Sequence, residues 1–414
     1  MAADAATSVG WQSSHLDPLR EEESASLLGL FAAWRDGHRW PPAPLSSGRS
    51  ELLWQYAERQ GLGGIVGSLA AEERLTNQHL ASQGHDRYLS NMLHASRAAR
   101  LWRRIHSASR KLGVPIAFVK GPTLVKSAWK DEGIRSYGDL DIFMPSAEAA
   151  NALVADLKGD AAPQKPLSWS RTSPGKAHLE VDGWKLELCV PVGPPRGPAF
   201  EMMARHPERF FSVPESDEAP AAPEPSFHFV FMLQHLMQHR CSRLIWFFDL
   251  AAFHNLNRDH IDVPWVAEEI AALEHRSAAW HVGEFIRRSL GGSFPELAQP
   301  EAGWNTPVHH RMTEPGAMLR GELEVFHRSW WRRQRGRLAD LTRHLLVTDA
   351  ASHDPLRSCA ASRWTATTFA ALSGSTRPAP ARWLDRPVFW VTYTAARLMA
   401  RNFAKGRHRE TRIP

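Results

Sequence analysis

The chain has 414 residues, of which 43% are hydrophobic and 23% charged. A chain of this length and composition buries a sizeable core, which excludes global disorder and a collagen-like or fibrous structure. The formal net charge is +6, but residues 301–414 hold 19 basic and 9 acidic residues, whereas residues 1–300 hold 31 and 35. A surface that attracts anions is therefore expected towards the C-terminus.

The sequence favours a reducing compartment and no membrane span. Three cysteines, Cys189, Cys241 and Cys359, are too few and too scattered for a disulfide framework. The N-terminus lacks the basic and then apolar segments of a secretory signal. The apolar run at residues 387–400 contains Arg397 and is shorter than the ~20 residues that a membrane span needs. We therefore predict a cytoplasmic protein.

The N-terminal part of the chain is predicted to be helical. Residues 1–21 are expected to be disordered. From residue 22 onwards, apolar residues such as Leu27 and Phe31 recur at three- and four-residue spacing, which predicts helices with one buried face. Gly113 and Pro115 end this pattern, since glycine stops helices and proline disfavours helix at the residue before it. We assign residues 22–105 to an N-terminal helical region.

A small sheet is predicted within residues 106–195. The apolar run at residues 115–119 has the composition of a buried strand that ends in the turn Lys120-Gly121-Pro122. Polar and apolar residues then alternate over residues 138–144. Because successive side chains on a strand point to opposite faces, Asp139 and Asp141 are expected on the same face.

A third acidic residue follows from a predicted hairpin. Asp182-Gly183 stands between two alternating runs and is a strong signal for a two-residue turn. The register that this turn sets puts His178 opposite Glu187, on the polar face of the sheet. If the strands are neighbours, Glu187 joins the two aspartates. Glu180 lies on the same face and is the alternative third acid.

Helices are predicted for most of the remaining chain. The stretch rich in proline, alanine and acidic residues near 213–225 is typical of a linker, which we assign to residues 196–225. Residues 226–290 are expected to form helices that pack on the core, and residues 291–414 a basic helical C-terminal region. The predicted fold class is α+β, with a small mixed sheet embedded in a mostly helical chain.

The three acidic residues suit the binding of a divalent metal ion. Mg²⁺ takes oxygen ligands and leaves room for substrate phosphates, and two such ions stabilise the attacking and leaving oxygens of a displacement at phosphorus. An Asp-x-Asp pair is also common on solvated strand edges. Surface carboxylates without a function are therefore the alternative explanation.

The same residues resemble a known family. The stretches 118–124 (FVKGPTL), 135–142 (RSYGDLDI) and 186–188 (LEL) are similar to the uncharacterised nucleotidyltransferase family of the DNA polymerase beta-like superfamily. In that family an LKG strand end precedes an R..DiDll motif and a later velH motif. The segment 234–250 is similar to the family's helical H...H...rl.wl.Dl pattern. The likeness extends over most of residues 25–405.

The resemblance implies a nucleotidyltransferase core with a metal site. Asp139 and Asp141 would bind Mg²⁺ or Mn²⁺, and Glu187 would be the third catalytic and metal-binding acid. Residues assigned to nucleotide binding by the resemblance are Lys120, Gly121, Arg135 and Gly138. Lys120 has the alternative of capping a strand end, and Arg135 that of holding its loop through a hydrogen bond.

The implied reaction is transfer of a nucleoside monophosphate from an NTP, such as ATP, to an acceptor, with release of pyrophosphate. The acceptor is a small molecule, a peptide, a protein or an RNA. The chain departs from the family pattern at Cys189, where velH has histidine, and His178 is a candidate substitute. Gly121-Pro122 also replaces the superfamily's usual Gly-Ser. These departures leave open an inactive protein that binds nucleotide or a partner.

Two features outside the acidic residues have competing explanations. His235 and His239 lie one helical turn apart, a spacing that can bind zinc with Asp249 as third ligand, but we favour a structural, site-lining role. Nucleic-acid binding through the basic C-terminal region is less favoured than a solvated helical face, because no RNA-binding motif accompanies the charge.

Overall fold

The computed structural model describes residues 19–41, 44–158, 175–191, 198–213, 219–239, 241, 243–273, 275–299 and 313. Residues 1–18 of the predicted N-terminal segment and almost all of the predicted basic C-terminal region lie outside the described residues. Within the described part, none of the helices combines the length and the apolar character that crossing a lipid bilayer requires.

Four helices precede the sheet, as the apolar spacing predicts. They are α1 (Glu21–Asp36), α2 (Ser47–Arg59), α3 (Gly63–Ala71) and α4 (Gln78–Leu112). Asn77 caps α4 by accepting a hydrogen bond from Leu80 N at 3.1 Å, and Gly113 ends it with φ +64°. The predicted boundary at residue 105 falls inside α4, because the second half of this helix buries Trp102 and Ile105 against the sheet.

The sheet has four strands in the order β1-β2-β4-β3. They are β1 (Ala117–Phe118), β2 (Asp139–Phe143), β3 (Lys176–Val181) and β4 (Trp184–Cys189). β2 and β4 are parallel, and the other two pairs are antiparallel. The sheet is therefore mixed, which together with the surrounding helices confirms the α+β fold class.

The two faces of the sheet have different neighbours. One face packs on α4 and on α6 (Ala147–Lys158), and buries Leu140, Ile142, Leu186 and Leu188 completely or nearly so. Ser146 caps α6, since its Oγ accepts a hydrogen bond from Ala149 N at 3.2 Å. The opposite face carries the polar side chains of β2 and β4.

A fixed loop connects the first two strands. After β1 the chain forms a short helix, α5 (Pro122–Leu124), which continues as a π-helical turn over Val125–Trp129. The loop at residues 130–138 then leads into β2. Asn91 of α4 donates a hydrogen bond to Gly133 O at 2.8 Å, and a Cβ at Gly64 of α3 would lie only 2.1 Å from Ile134 O. Two N-terminal helices therefore hold this loop in place.

The second half of the described chain is helical. Its helices are α7 (Pro198–Arg205), α8 (Pro207–Phe210), α9 (Pro225–Gln238), α10 (Leu244–Asn257), α11 (Val263–Ala272) and α12 (Arg276–Ser289), with a 3₁₀ turn over Arg258–His260. The structure differs here from the linker predicted at residues 196–225. α7 and α8 form in that stretch because Met202, Met203 and Phe210 are buried in the helical core.

Helix α9 covers the far end of the polar face of the sheet. Phe231 on α9 packs edge-on against Phe143 at the end of β2, with ring centroids 5.5 Å apart. One helical turn before it, His228 donates a hydrogen bond from Nε2 to Val119 O at 2.9 Å. Helix α9 therefore packs on the same face of the sheet that carries the polar side chains of β2 and β4.

Candidate active site

Three carboxylates lie on one face of neighbouring strands. Asp139 and Asp141 are two residues apart on β2, and Asp141 is the register partner of Glu187 on the parallel strand β4. Since parallel partners point to the same side of a sheet, Glu187 lies beside Asp141. The structure thus brings together the three acids that the sequence singles out.

The register also separates the two candidates for the third acid. The hairpin pairs His178 with Glu187 and Glu180 with Lys185, as the Asp182-Gly183 turn predicts, and both turn residues have positive φ. Glu180 is exposed on the outer strand β3, with Lys185 between it and β2. Glu187, and not Glu180, is the neighbour of Asp141.

A lysine neutralises the central carboxylate. Asp141 is only 7% exposed, and its Oδ2 lies 2.9 Å from Nζ of Lys120. Lys120 follows Val119, the residue after β1, and the carbonyl oxygen of Val119 accepts a hydrogen bond from His228 of α9. A buried carboxylate needs such a partner, because its charge has lost its water. The bond to His228 therefore holds the backbone next to Lys120, and the Lys120 side chain reaches Asp141 from there.

A second lysine neutralises Glu187. Lys176 Nζ donates a charged hydrogen bond to Glu187 Oε1, and Cys189 Sγ lies 3.5 Å from the same oxygen. His178, the candidate substitute for the family histidine, has Nδ1 3.8 Å from Glu187 Oε2. Burial lowers the pKa of Lys176, but Cys189 and Glu187 outweigh it and raise the pKa above the ordinary value. Lys176 is therefore a cation at neutral pH.

Asp139 differs from its two neighbours. Within the part of the chain that the structure describes, no group forms a hydrogen bond or ion pair with its carboxylate. Loss of solvent raises the pKa of Asp139, and the charge of Asp141 raises it further, while Lys120 lowers it. The repulsion between the carboxylates is thus only partly compensated at this position.

Arg135 fixes the loop before Asp139. Its Nε lies 3.1 Å from both carboxylate oxygens of Asp249 on α10, and Asp249 Oδ1 also accepts a hydrogen bond from Trp129 Nε1 at 2.8 Å. The side chains of Arg135 and Asp249 are 15% and 4% exposed. Arg135, predicted to bind nucleotide or to hold its loop, thus has its charge paired with a buried acid.

The two predicted nucleotide-binding glycines have different surroundings. Gly121 has φ +56°, and a Cβ at this position would lie 3.1 Å from the ring of Tyr137. Both observations favour glycine in the turn after β1. Gly138 is exposed beside Asp139, and a Cβ there would meet no atom within 4 Å. Gly121 is therefore required by the local fold, whereas Gly138 borders open space.

The predicted histidine pair lies at the end of α9. The rings of His235 and His239 are 4.4 Å apart, and that of Trp246 lies within 5.3 Å of both. Burial, followed by the charge of Lys120, keeps the pKa of His235 well below its ordinary value. Because Asp249 is engaged with Arg135, the described structure does not join it to the two histidines as a zinc site.

The carboxylates fit a divalent metal ion in chemistry, since Mg²⁺ and Mn²⁺ prefer oxygen ligands. A bound cation would also relieve the repulsion between carboxylates that remains at Asp139. In the structure, however, two of the three acids are already paired with a lysine, Asp141 with Lys120 and Glu187 with Lys176. Among the described residues, no three His, Cys, Asp or Glu side chains form a ready-made metal-binding group.

Lys176 is the residue at this site that sequence analysis does not single out. The signal is present, because the register that pairs His178 with Glu187 also pairs Lys176 with Cys189, on the same face of the sheet. A lysine at the start of a strand is otherwise unremarkable, and only its contact with Glu187 reveals its place.

Comparison with known proteins identifies the family. Residues 46–291 match the model of a family described as uncharacterised nucleotidyltransferases. The match covers more than half of the chain and includes the sheet, the three acids and the helices α9 and α10. The chain belongs to this family. No curated protein and no solved structure matches it significantly.

Proposed function

We propose that the protein transfers a nucleoside monophosphate group from an NTP to an acceptor, with release of pyrophosphate, in a reaction that depends on Mg²⁺ or Mn²⁺. The observation that carries the proposal is the placement of Asp139, Asp141 and Glu187 on adjacent positions of one sheet face. Membership in a nucleotidyltransferase family supports a role in nucleotidyl transfer.

Each acid has a defined task in the proposed reaction. Asp139 and Asp141 would bind the metal, which supplies charge stabilisation for the attacking and leaving oxygens. Glu187 would complete the site and accept the proton of the acceptor hydroxyl. Catalysis of this kind rests on positioning and charge, so removal of an acid abolishes turnover with little effect on the fold.

The direct test uses α-³²P-labelled NTPs. Purified protein and the Asp139→Ala/Asp141→Ala variant are incubated with each labelled NTP, Mg²⁺ or Mn²⁺, and a cell lysate as the source of acceptor. We expect label to enter a product only with the unchanged protein and only with metal. Equal labelling by the variant would contradict the assignment of the two aspartates.

A matched pair of substitutions tests the third acid. Glu187 and Glu180 lie on the same face of one hairpin, but only Glu187 neighbours Asp141. We expect Glu187→Gln to lower the transfer rate by roughly 100-fold or more, as loss of a general base does. Glu180→Gln should keep the full rate. The reverse result would assign the third acid to Glu180.

The second candidate function is nucleotide or partner binding without turnover. It is favoured by the two lysines, which already neutralise Asp141 and Glu187. This alternative predicts nucleotide binding by calorimetric titration, together with no metal-dependent release of pyrophosphate in any lysate. Measuring both quantities on one preparation separates it from the enzymatic proposal.

A further inference from the structure

The two lysine–carboxylate pairs have the same arrangement. In each, the acid is well shielded and the lysine is not: the exposed fractions of the side chains alone are 8% for Asp141 and 19% for Glu187, against 33% for Lys120 and 35% for Lys176. A lysine carries its charge on a flexible four-carbon stem, whereas both acids stand on central strands of the sheet. In each pair, the lysine is the partner that can move.

We propose that Lys120 and Lys176 are exchangeable counter-ions, which neutralise Asp141 and Glu187 while the site is empty and move to the triphosphate of the donor when metal and NTP bind. The inference rests on the proposed function. It adds Lys176 to the site and assigns both lysines to the recognition of polyphosphate.

The charges at the site give the reason for an exchange. A carboxylate that ligates a metal ion has less negative charge to offer a lysine, so binding of metal alone leaves an ammonium group close to the new cation. A triphosphate removes this repulsion because it offers the displaced lysines anionic oxygens within the same site. Metal and polyphosphate should therefore bind with positive coupling, and each should bind weakly without the other.

His235 on the facing helix does not give the displaced lysines another anionic partner. Burial, followed by nearby positive charges that include both lysines, keeps its pKa well below the ordinary value. As a neutral, half-buried ring it offers no negative charge to them. Among the described residues around the site, the acids are thus the anionic partners that the lysines have before a ligand arrives.

The test measures binding rather than turnover. Mn²⁺ binding without nucleotide is followed by the paramagnetic resonance signal of free Mn²⁺ for the unchanged protein, Lys120→Met and Lys176→Met. The control is Lys126→Met, which removes a more exposed lysine that pairs with Glu132, at the same 2.9 Å, and not with one of the three acids. Binding of tripolyphosphate is then titrated in the presence of Mg²⁺, which avoids any dependence on the base.

We expect the two site variants to bind Mn²⁺ more tightly, by roughly 5- to 150-fold, the usual range of coupling between ligands, and to bind tripolyphosphate more weakly. Lys126→Met should change neither. Adding Asp141→Asn to Lys176→Met should remove the gain in Mn²⁺ affinity. Where Lys120→Met does not fold, Lys120→Gln keeps a hydrogen-bond donor without the charge.

Unchanged or weaker Mn²⁺ binding in both site variants would overturn the proposal. Tighter Mn²⁺ binding with unaltered tripolyphosphate affinity would also overturn it, because the lysines would then only compete with metal. Failure of the proposed function gives a different pattern: the binding results appear as expected, while the labelling assay shows no transfer with any NTP.

Discussion

At the scale of single residues, Asp139 is the acid whose charge the described structure compensates least. Asp141 and Glu187 each form an ion pair with a lysine. Asp139 faces the open side of the site, and the negative charges of both other carboxylates repel its own. Its pKa is raised by loss of solvent and then by Asp141. A group placed in this way costs the folded protein stability, which is characteristic of residues kept for function.

Substituting Asp139 should therefore stabilise the protein at neutral pH. A carboxyl group whose pKa is raised on folding favours the folded state below its unfolded pKa, and this contribution is lost as the pH rises through the folded pKa. We expect Asp139→Asn to raise the Tm at pH 7 in EDTA by no more than roughly 1 °C, because Asp139 is exposed and water screens its charge. The gain should shrink as the pH falls towards the ordinary range of carboxyl groups.

The measurement is thermal unfolding followed by circular dichroism at several pH values. Glu180→Gln, an exposed acid on the same sheet face, is the control and should leave the Tm unchanged. A lower Tm for Asp139→Asn at pH 7 would show that the charge of Asp139 stabilises the fold.

At the scale of elements, the sequence predicts what is local and misses what is distant. The Asp182-Gly183 turn fixes the hairpin register, so the positions of His178 and Glu187 follow from counting residues. The parallel pairing of β2 with β4 joins strands that are separated by α6 and β3, and no local pattern encodes it. The sequence therefore predicts that Glu187 lies beside Asp141 only if the two strands are neighbours.

The missed helices have a similar cause. Residues 198–210 look like part of a linker because proline and charged residues surround them, yet α7 and α8 bury Met202, Met203 and Phe210. Their stability comes from packing against distant helices and not from their own composition. The sequence also leaves open whether Arg135 binds nucleotide or holds its loop, because its partner Asp249 lies more than 100 residues further along the chain.

The buried hydrogen bond from His228 on α9 to Val119, the residue after β1, should make the stability of the protein sensitive to acid. His228 is buried, and burial lowers its pKa to about 4. Since this value is below the ordinary 6.5, the stabilising contribution is complete above about pH 6.5 and is lost as the pH falls towards 4. Between pH 7 and pH 5 we expect the free energy of unfolding to fall by roughly 1–2 kcal/mol from this residue.

Urea unfolding at the two pH values checks this expectation. His228→Gln keeps a donor for Val119 O but has no group that titrates in this range, so its stability should depend less on pH. His254, with a pKa also lowered to about 4, remains in both proteins and contributes equally. An identical loss in the variant would assign the acid sensitivity to other groups.

At the scale of the whole molecule, the site depends on a junction between the helical core and the sheet. Arg135, at the entrance to β2, and Asp249 on α10 form a buried ion pair across this junction. Breaking a buried pair leaves one charge uncompensated, so Arg135→Met should cost about 3 kcal/mol of stability. Asp249→Asn in the same chain removes the second charge and keeps the acceptor for Trp129.

The double variant Arg135→Met/Asp249→Asn separates stability from positioning. We expect urea unfolding to show most of the stability restored, because no buried charge remains. Nucleotidyl transfer should stay low, because the loop that ends at Asp139 has lost its tie to α10. Recovery of both activity and stability in the double variant would show that the ion pair stabilises the fold but does not position the site.

The hairpin has a consequence for how this family can change in length. Side chains alternate along β4, so a single residue inserted within β4, between Trp184 and Glu187, would turn the carboxylate towards α4 and bring leucines to the acidic face. An insertion of two would restore the face but move Glu187 one row away from Asp141. Relatives that keep the three acids should therefore tolerate substitutions in the first half of β4 more readily than insertions or deletions there.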